Sequence, residues 1–255
     1  MRLLKNMFLK LRPLFYSLMF LAGLEFVVYA HANTSFVLVA ITALLLFSLW
    51  EGKTIGGRWK FSILPIFFTL SSASLLYLIA LSYEQQIFIV LSSSMNYLAL
   101  FGAYRLGKYE KDQTAKGMNM AATSATIFFT YAGAYGLYLN FLVPLYVLML
   151  TYFLITLLVS YQYFSIIRAD KNRLVWVYGF LLGLSMMEIA WVINYWPFGY
   201  LTTGVIALIL YYILWSIVQG YFLNILSQKR AIMNVLFFSI LILMVLLTSK
   251  WIPVI

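Results

Sequence analysis

A chain of 255 residues and 29.4 kDa could hold one or two soluble domains, but 64% hydrophobic and 9% charged residues exclude that class, because soluble domains run at about half apolar and about a quarter charged. A mean hydropathy of +0.95 leaves more apolar side chain than a water-solvated core can hide, so the solvent of this chain is lipid. The 17 Lys and Arg against 7 Asp and Glu give a formal charge of +10, which in a membrane protein marks orientation rather than nucleic-acid binding.

A helical span needs roughly 20 apolar residues. Runs of about that length occur at residues 13–31, 34–50, 61–81, 86–106, 118–139, 141–164, 174–194, 199–223 and 232–251. The expected fold class is therefore all-α, a polytopic transmembrane bundle of about nine spans. Residues 1–255 are expected to form a single integral membrane domain. Short turns make hairpins of 13–50, 61–106, 118–164 and 174–223, with 232–251 left as a single span. The first run begins with a basic segment and ends in Ala30-His31-Ala32, which imitates a signal-peptide cleavage site. Its length and the presence of Glu25 favour an uncleaved span instead.

Assigning loops alternately to two sides gathers sixteen of the 17 cations on the side of the N-terminus and leaves only Lys250 on the other. The positive-inside rule then places the N-terminus inside and the C-terminus outside. The expected location is a cell membrane, of the cytoplasmic kind found in bacteria and archaea. The expected partners are the lipid bilayer and its anionic headgroups, with a membrane protein partner reached through the C-terminal span and no nucleic acid. Aromatics at span ends, such as Trp50, Trp59, Tyr83 and Trp176, suit the headgroup level.

Five of the acids, Glu51, Glu84, Glu110, Asp112 and Asp170, read as loop residues. Glu25 and Glu188 fall inside spans 1 and 7, roughly 18 and 21 Å up two helices that run outward. An unpaired carboxyl at that depth is expensive, so it should be protonated or partnered inside the bundle. Asn96, about ten residues in from the outer surface at 1.5 Å each, is expected near the same depth. Glu25, Glu188 and Asn96 are thus the candidate binding residues. Small residues mark helix contacts: Ser92, Asn96, Ala99 and Ala103 share a face of span 4, and Ala122, Thr126, Gly133, Gly136 and Asn140 share a face of span 5. Gly179 and Gly183 form a GxxxG pair on span 7.

Many chemistries are excluded. No cysteine means no thiolate catalysis, disulfide or iron–sulfur cluster. His31 is the only histidine, which rules out bis-histidine haem and multi-histidine metal sites within one chain. Gly52-Lys53-Thr54 lacks the first glycine of a phosphate loop, since Phe47 stands there. No lysine sits in mid-span for a Schiff base, and no span carries an aspartate for magnesium. No cofactor or metal is expected. Three functions stay open: a carrier or translocator of a small or lipidic solute with a midplane carboxyl site, a non-catalytic scaffold or assembly subunit, and, with least support, a lipid-modifying enzyme.

The orientation is directly testable because the chain contains no native thiol. Single cysteines at Asn33, Gln85 and Asn194 should react with an impermeant thiol reagent on intact cells, and cysteines at Lys53, Gln113 and Asn172 should not. Labelling of the second group would reverse the orientation read from charge.

Overall fold

The computed structural model describes residues 2–30, 34–109, 112–167 and 172–249, and the regular structure among them is helical throughout. The helices are α1 (Arg2–Tyr29), α2 (Thr34–Gly56), a single 3-10 turn (Trp59–Ser62), α3 (Ile63–Leu78), α4 (Ser82–Lys108), α5 (Gln113–Asn140), α6 (Leu145–Ile167), α7 (Asn172–Ile193), α8 (Tyr200–Phe222) and α9 (Gln228–Thr248). Eight of them are long and apolar enough to cross a membrane, α3 together with the turn that precedes it. The exception is α5, expected above as a span. It is long enough, but Asn119, Thr123, Thr126 and Thr130 dilute its apolar content. Those four side chains are all buried, so the helix is matched to protein neighbours rather than to lipid. His31, Glu110 and Asp170 lie outside the described residues.

The chain divides into two compact units, one of Met1–Thr126 with Gln162–Ala169, the other of Ile127–Tyr161 with Asp170–Ile255. In the first unit α4 packs against α1, α2 and α3. Ser17 on α1 donates to the carbonyl of Ser93 on α4 at 2.5 Å, and the Ser48 and Thr69 hydroxyls join α2 to α3 at 2.6 Å.

The expected inner loop from Glu51 to Lys60 is mostly helix. α2 continues to Gly56 because Ser48, Gly52 and Gly56 recur every four residues on one face and let the turn at Trp59–Ser62 approach. A Cβ on Gly52 would lie 2.4 Å from Ser62 Cα, and one on Gly56 would lie 2.4 Å from the Phe61 ring. The helix stops at Gly57, whose φ of 70° is the left-handed conformation of a helix end. Its N–H still reaches the carbonyl of Lys53 at 2.9 Å.

α3 begins inside the protein, where the free N–H groups of a first turn need acceptors. Gln162 on α6 accepts from the Leu64 N–H at 2.6 Å, and Pro65 has no N–H to satisfy. Lys60 Nζ returns the favour to α6 by donating to the Ser165 carbonyl at 2.9 Å. α5 starts on Asp112, whose Oδ1 accepts from the Ala115 N–H at 3.2 Å while Oδ2 takes Arg105 Nε and Nη2 at 2.7 Å each. The Ala115 N–H, seconded by Arg105, holds the Asp112 carboxyl below the usual carboxylate range.

The second unit rests on close helix contacts. Tyr131 stacks on Tyr152 with ring centroids 4.1 Å apart, its hydroxyl meets Thr156 Oγ1 at 2.6 Å, and Tyr152 donates to the Tyr131 carbonyl at 3.0 Å. On α7, a Cβ at Gly179 would sit 3.2 Å from the Leu157 carbonyl oxygen, and one at Gly183 would sit 3.0 Å from that of Phe153. The GxxxG pair is therefore the surface on which α6 packs. α9 touches α8, where Asn234 Nδ2 donates to Ser216 Oγ at 3.1 Å and Phe238 packs on Tyr212. Only one stripe of α9 meets α8, and none of its residues is fully buried.

Replacing Gly183 by Leu should cost about 1–3 kcal/mol, because the added side chain must displace Phe153 backbone. Replacing Leu243, exposed on α9, by Ala should change stability by less than about 0.5 kcal/mol. Thermal unfolding of both variants in detergent checks the order, and equal midpoints would remove the contact role of Gly183.

Candidate functional site

Two cross-links fix how α1 and α4 run past each other. Ser17 meets Ser93, and Glu25 Oε2 accepts from Gln86 Nε2 at 3.0 Å. Glu25 therefore lies beside the first turns of α4, one turn from its own helix end, and is half-buried. Asn96 is ten residues further along α4, about 15 Å at 1.5 Å per residue. Equal depth does not hold for these two residues, because α4 begins at Ser82 beside the end of α1 rather than after an outer turn reaching to Gln85. Glu188 belongs to the second unit and is exposed on α7.

The expected contact face of α4 is buried as a row, with Ser92, Asn96, Ala99 and Ala103 each at most 3% exposed. Small side chains there admit the neighbouring helices closely. On α5, Ala122, Thr126, Gly133 and Gly136 are buried, whereas Asn140 is exposed and returns its amide to the Gly136 carbonyl.

Two acids read as loop residues are helical: Glu84 stands exposed in the first turn of α4, and Glu51 is the one that is buried. It sits in α2, not in a loop, and is only 1% exposed. The hydropathy run ends at Trp50, and the Glu-Gly-Lys that follows looks like a turn. The signal that could have found it is the Ser48-Gly52-Gly56 spacing, which extends the contact face of the helix through and beyond Glu51. The close approach of Ser62 to Gly52 then closes the space beside the acid.

Tyr16 lies near Glu51 and packs against Leu100, the residue one turn beyond Asn96. Its ring packs on Phe47 and Trp50 of α2 at centroid distances of 5.4 and 5.9 Å, and it lies within electrostatic range of Glu51 and Arg12. It also joins Ile55 of α2 and Leu100 of α4 in one buried cluster. Glu51 precedes Ile55, and Asn96 precedes Leu100, by four residues, one turn on the same helix face.

What sets these residues apart is unmet hydrogen bonding. Glu51 Oε1, both amide atoms of Asn96, and the hydroxyls of Ser92, Ser93 and Ser72 are buried without a partner. All belong to the first unit. A buried polar atom left in that state costs about 1–3 kcal/mol, and buried groups in native proteins are nearly always satisfied. The unmet groups are spread over three helices, Glu51 on α2, Ser72 on α3 and Ser92, Ser93 and Asn96 on α4. Among the described residues no group of three or more acids or histidines could hold a metal ion.

A family model described as a protein of unknown function, DUF5656, matches residues 37–248. Glu51, Asn96 and Glu188 fall within that stretch and Glu25 does not. No curated protein and no solved structure matches the chain.

Removing a satisfied polar group and an unsatisfied one should have opposite results. Gln162→Leu strips the acceptor from the buried Leu64 N–H and should cost about 1–3 kcal/mol. Asn96→Leu removes an amide that has no partner and should leave stability unchanged or raised, as expected where polar groups serve function at the expense of stability. Denaturation midpoints in detergent test this, and a large loss in Asn96→Leu would make that amide structural.

Proposed function

We propose, for a chain that belongs to the DUF5656 family of proteins of unknown function, that it is a multi-pass membrane carrier which takes a small polar solute at Asn96 and Glu51. Eight helices long and apolar enough to cross a bilayer fit a membrane protein. The observation that carries the rest is Asn96, which stands near the middle of α4, 1% exposed, with every hydrogen-bonding atom of its amide unmet. A subunit that only scaffolds has no use for such groups, because an apolar side chain of the same shape would pack as well without the desolvation penalty.

In this reading the solute exchanges its water for Glu51, Asn96 and the serines, and leaves by the reverse exchange on the other side. Glu25, held by Gln86 at the opposite end of the α1–α4 pair, supplies a second negative group on that path. Glu188, exposed on α7, takes no part. The cation-rich ends of α1, α2, α4 and α5 face the cytoplasm, as charge bias dictates. One observation favours the scaffold alternative: every residue of α9 has some exposure, with Ile232, Leu236, Phe237, Ile240 and Leu243 more than half exposed, a surface a second membrane protein could cover.

Light scattering by proteoliposomes exposed to osmotic steps of urea, glycerol, sodium chloride or methylammonium chloride tests the carrier. At least one solute should equilibrate faster than in empty vesicles, and Asn96→Leu, which keeps the fold, should abolish the difference. Permeation equal to empty vesicles for all four would favour the scaffold.

A further inference from the structure

We infer that the cleft between the end of α8 and the start of α9 binds the phosphate of an anionic phospholipid headgroup. The cleft belongs to the second unit and does not involve Glu51 or Asn96, so it stands or falls separately from the carrier.

The turn that joins the two helices builds the cleft. α8 ends where Asn224 takes the left-handed conformation, φ 57°, and the Ile225 N–H folds back onto the Gly220 carbonyl at 2.9 Å, which closes the helix end. Gly220 lets Leu226 lie against the helix, since a Cβ there would be 3.0 Å from Leu226 Cδ1. On the other side, the bond from Asn234 Nδ2 to Ser216 Oγ at 3.1 Å forms a polar floor, and one turn beyond it Phe238 meets Tyr212 at 4.9 Å. Between turn and floor remains an open space of about 180 Å³, lined by Ser216, Gln219, Ser227, Arg230 and Asn234 beside apolar residues. About 15 Å³ is enough for one water, so the space takes a group as large as a phosphate with its ester oxygens.

The lining fixes the sign of the guest. Arg230 is its one charged residue, and a guanidinium keeps its charge at any physiological pH. No acid lines the cleft. The one described acid of the second unit, Glu188, is ten residues beyond Tyr178 on α7, about 15 Å along the helix, and it is Tyr178 that packs on Tyr221 and Phe222 at the end of α8. The guanidinium fork, the amides of Gln219 and Asn234 and the hydroxyls of Ser216 and Ser227 are donors suited to phosphate oxygens. The first helical bond of α9 runs from the Ala231 N–H to the Ser227 carbonyl at 3.0 Å, and the Ser227 hydroxyl does not cap the helix. The dipole of α9 therefore adds positive potential to that of the arginine.

Position selects a lipid over a free ion. Arg173 at the start of α7, with Lys229 and Arg230 at the start of α9, marks a basic end of the unit. Trp176 and Tyr221 are exposed there, as aromatics are at the headgroup level. Beyond the cleft α9 continues with Met233, Leu236, Phe237 and Ile240, each more than half exposed. A phosphate held by Arg230 thus leaves its acyl chains beside an apolar helix face, the arrangement expected of a basic pocket between spans.

Purified full-length protein in dodecylmaltoside is supplied with phosphatidylcholine, whose choline offsets its phosphate, and then with rising fractions of phosphatidylglycerol at constant total lipid. A separate series replaces phosphatidylglycerol by sodium phosphate. The readout is the unfolding midpoint by tryptophan fluorescence. Phosphatidylglycerol should raise it saturably, by about 5–10 °C at a hundredfold excess over Kd, and sodium phosphate should not. Arg230→Gln should abolish the rise, and Arg230→Lys should keep it at weaker affinity. Lys229→Gln, which removes a charge outside the lining, should keep the rise in full. Arg230 is exposed, and the midpoint in phosphatidylcholine alone shows that each variant is folded. No rise with phosphatidylglycerol, or a rise that survives Arg230→Gln, overturns the inference. Equal losses in Lys229→Gln and Arg230→Gln, the mark of diffuse surface charge, overturn it as well, as does a full rise with sodium phosphate alone, the mark of a site for a soluble anion.

Discussion

A membrane-spanning helix satisfies its own backbone, so in lipid the polar side chains are the groups whose bonding remains to be arranged, and no water is at hand to do it. In this chain many hydroxyls settle the matter locally. Thr42, Ser94, Thr126, Thr151, Ser185 and Thr248 each donate to the carbonyl four residues back at 2.8 to 3.0 Å. Such a bond is complete within one helix and carries no information about neighbours. The side chains that reach another helix are fewer, and they set the registers: Ser17 to Ser93, Ser48 to Thr69, Gln162 to Leu64, Tyr131 to Thr156 and Asn234 to Ser216. Asn96, Glu51 Oε1 and the hydroxyls of Ser72, Ser92 and Ser93 adopt neither solution.

The close approaches explain how an acid came to be enclosed near a helix end. Between helices in lipid there is no hydrophobic gain to be had from water, and association depends on packing and cross-helix bonds. Gly52 lets the backbone of Ser62 come within van der Waals contact of α2, and Glu51 is the next residue along. A side chain of any size at position 52 would hold the turn at Trp59–Ser62 away and open the side of the helix beside the carboxyl. The same logic applies to Gly102 of α4, where a Cβ would lie 3.2 Å from the Ala115 carbonyl and α5 consequently lies against the Asn96-bearing helix. Small residues thus pull backbones together around the polar row, and that row becomes inaccessible to lipid.

Helix number, helix class and the packing faces of α4 and α7 were legible because lipid imposes a length and a composition on every span. The polar row from Ser92 to Asn96 was legible for the same reason, since polar residues in an apolar helix are costly wherever they fall. Depth along the axis was not. Hydropathy marks where a helix becomes apolar, while α1 starts at Arg2 and α4 at Ser82, well before their apolar stretches. Counting from the apolar edges therefore put Glu25 and Asn96 level, whereas the bond from Gln86 sets Glu25 beside a residue ten positions before Asn96 on α4. Glu51 was missed for a related reason: a charge beside a glycine and a lysine is the composition of a turn, and only tertiary contact with Ser62 and Phe61 keeps those residues helical. Local composition reports solvent exposure well where lipid is the neighbour and poorly where another part of the chain is.

That distinction orders the whole bundle. α9 is the most apolar of the candidate spans and has no buried residue, whereas α3 with its preceding turn is less apolar and the most buried. α5 falls below the hydropathy of a span and buries threonines, an asparagine and tyrosines along its length. Between these extremes hydropathy and burial part company, since α1, as little apolar as α4, is no more buried than the more apolar α8. An enclosed helix is free to carry asparagine, serine or threonine, because its neighbours and not the hydrocarbon decide what those groups meet. Functional polar groups in a protein of this composition are accordingly to be sought on the buried faces of enclosed helices, whatever their hydropathy. α4, with Ser92, Ser93 and Asn96 on its buried side, is a helix of that kind within the first unit.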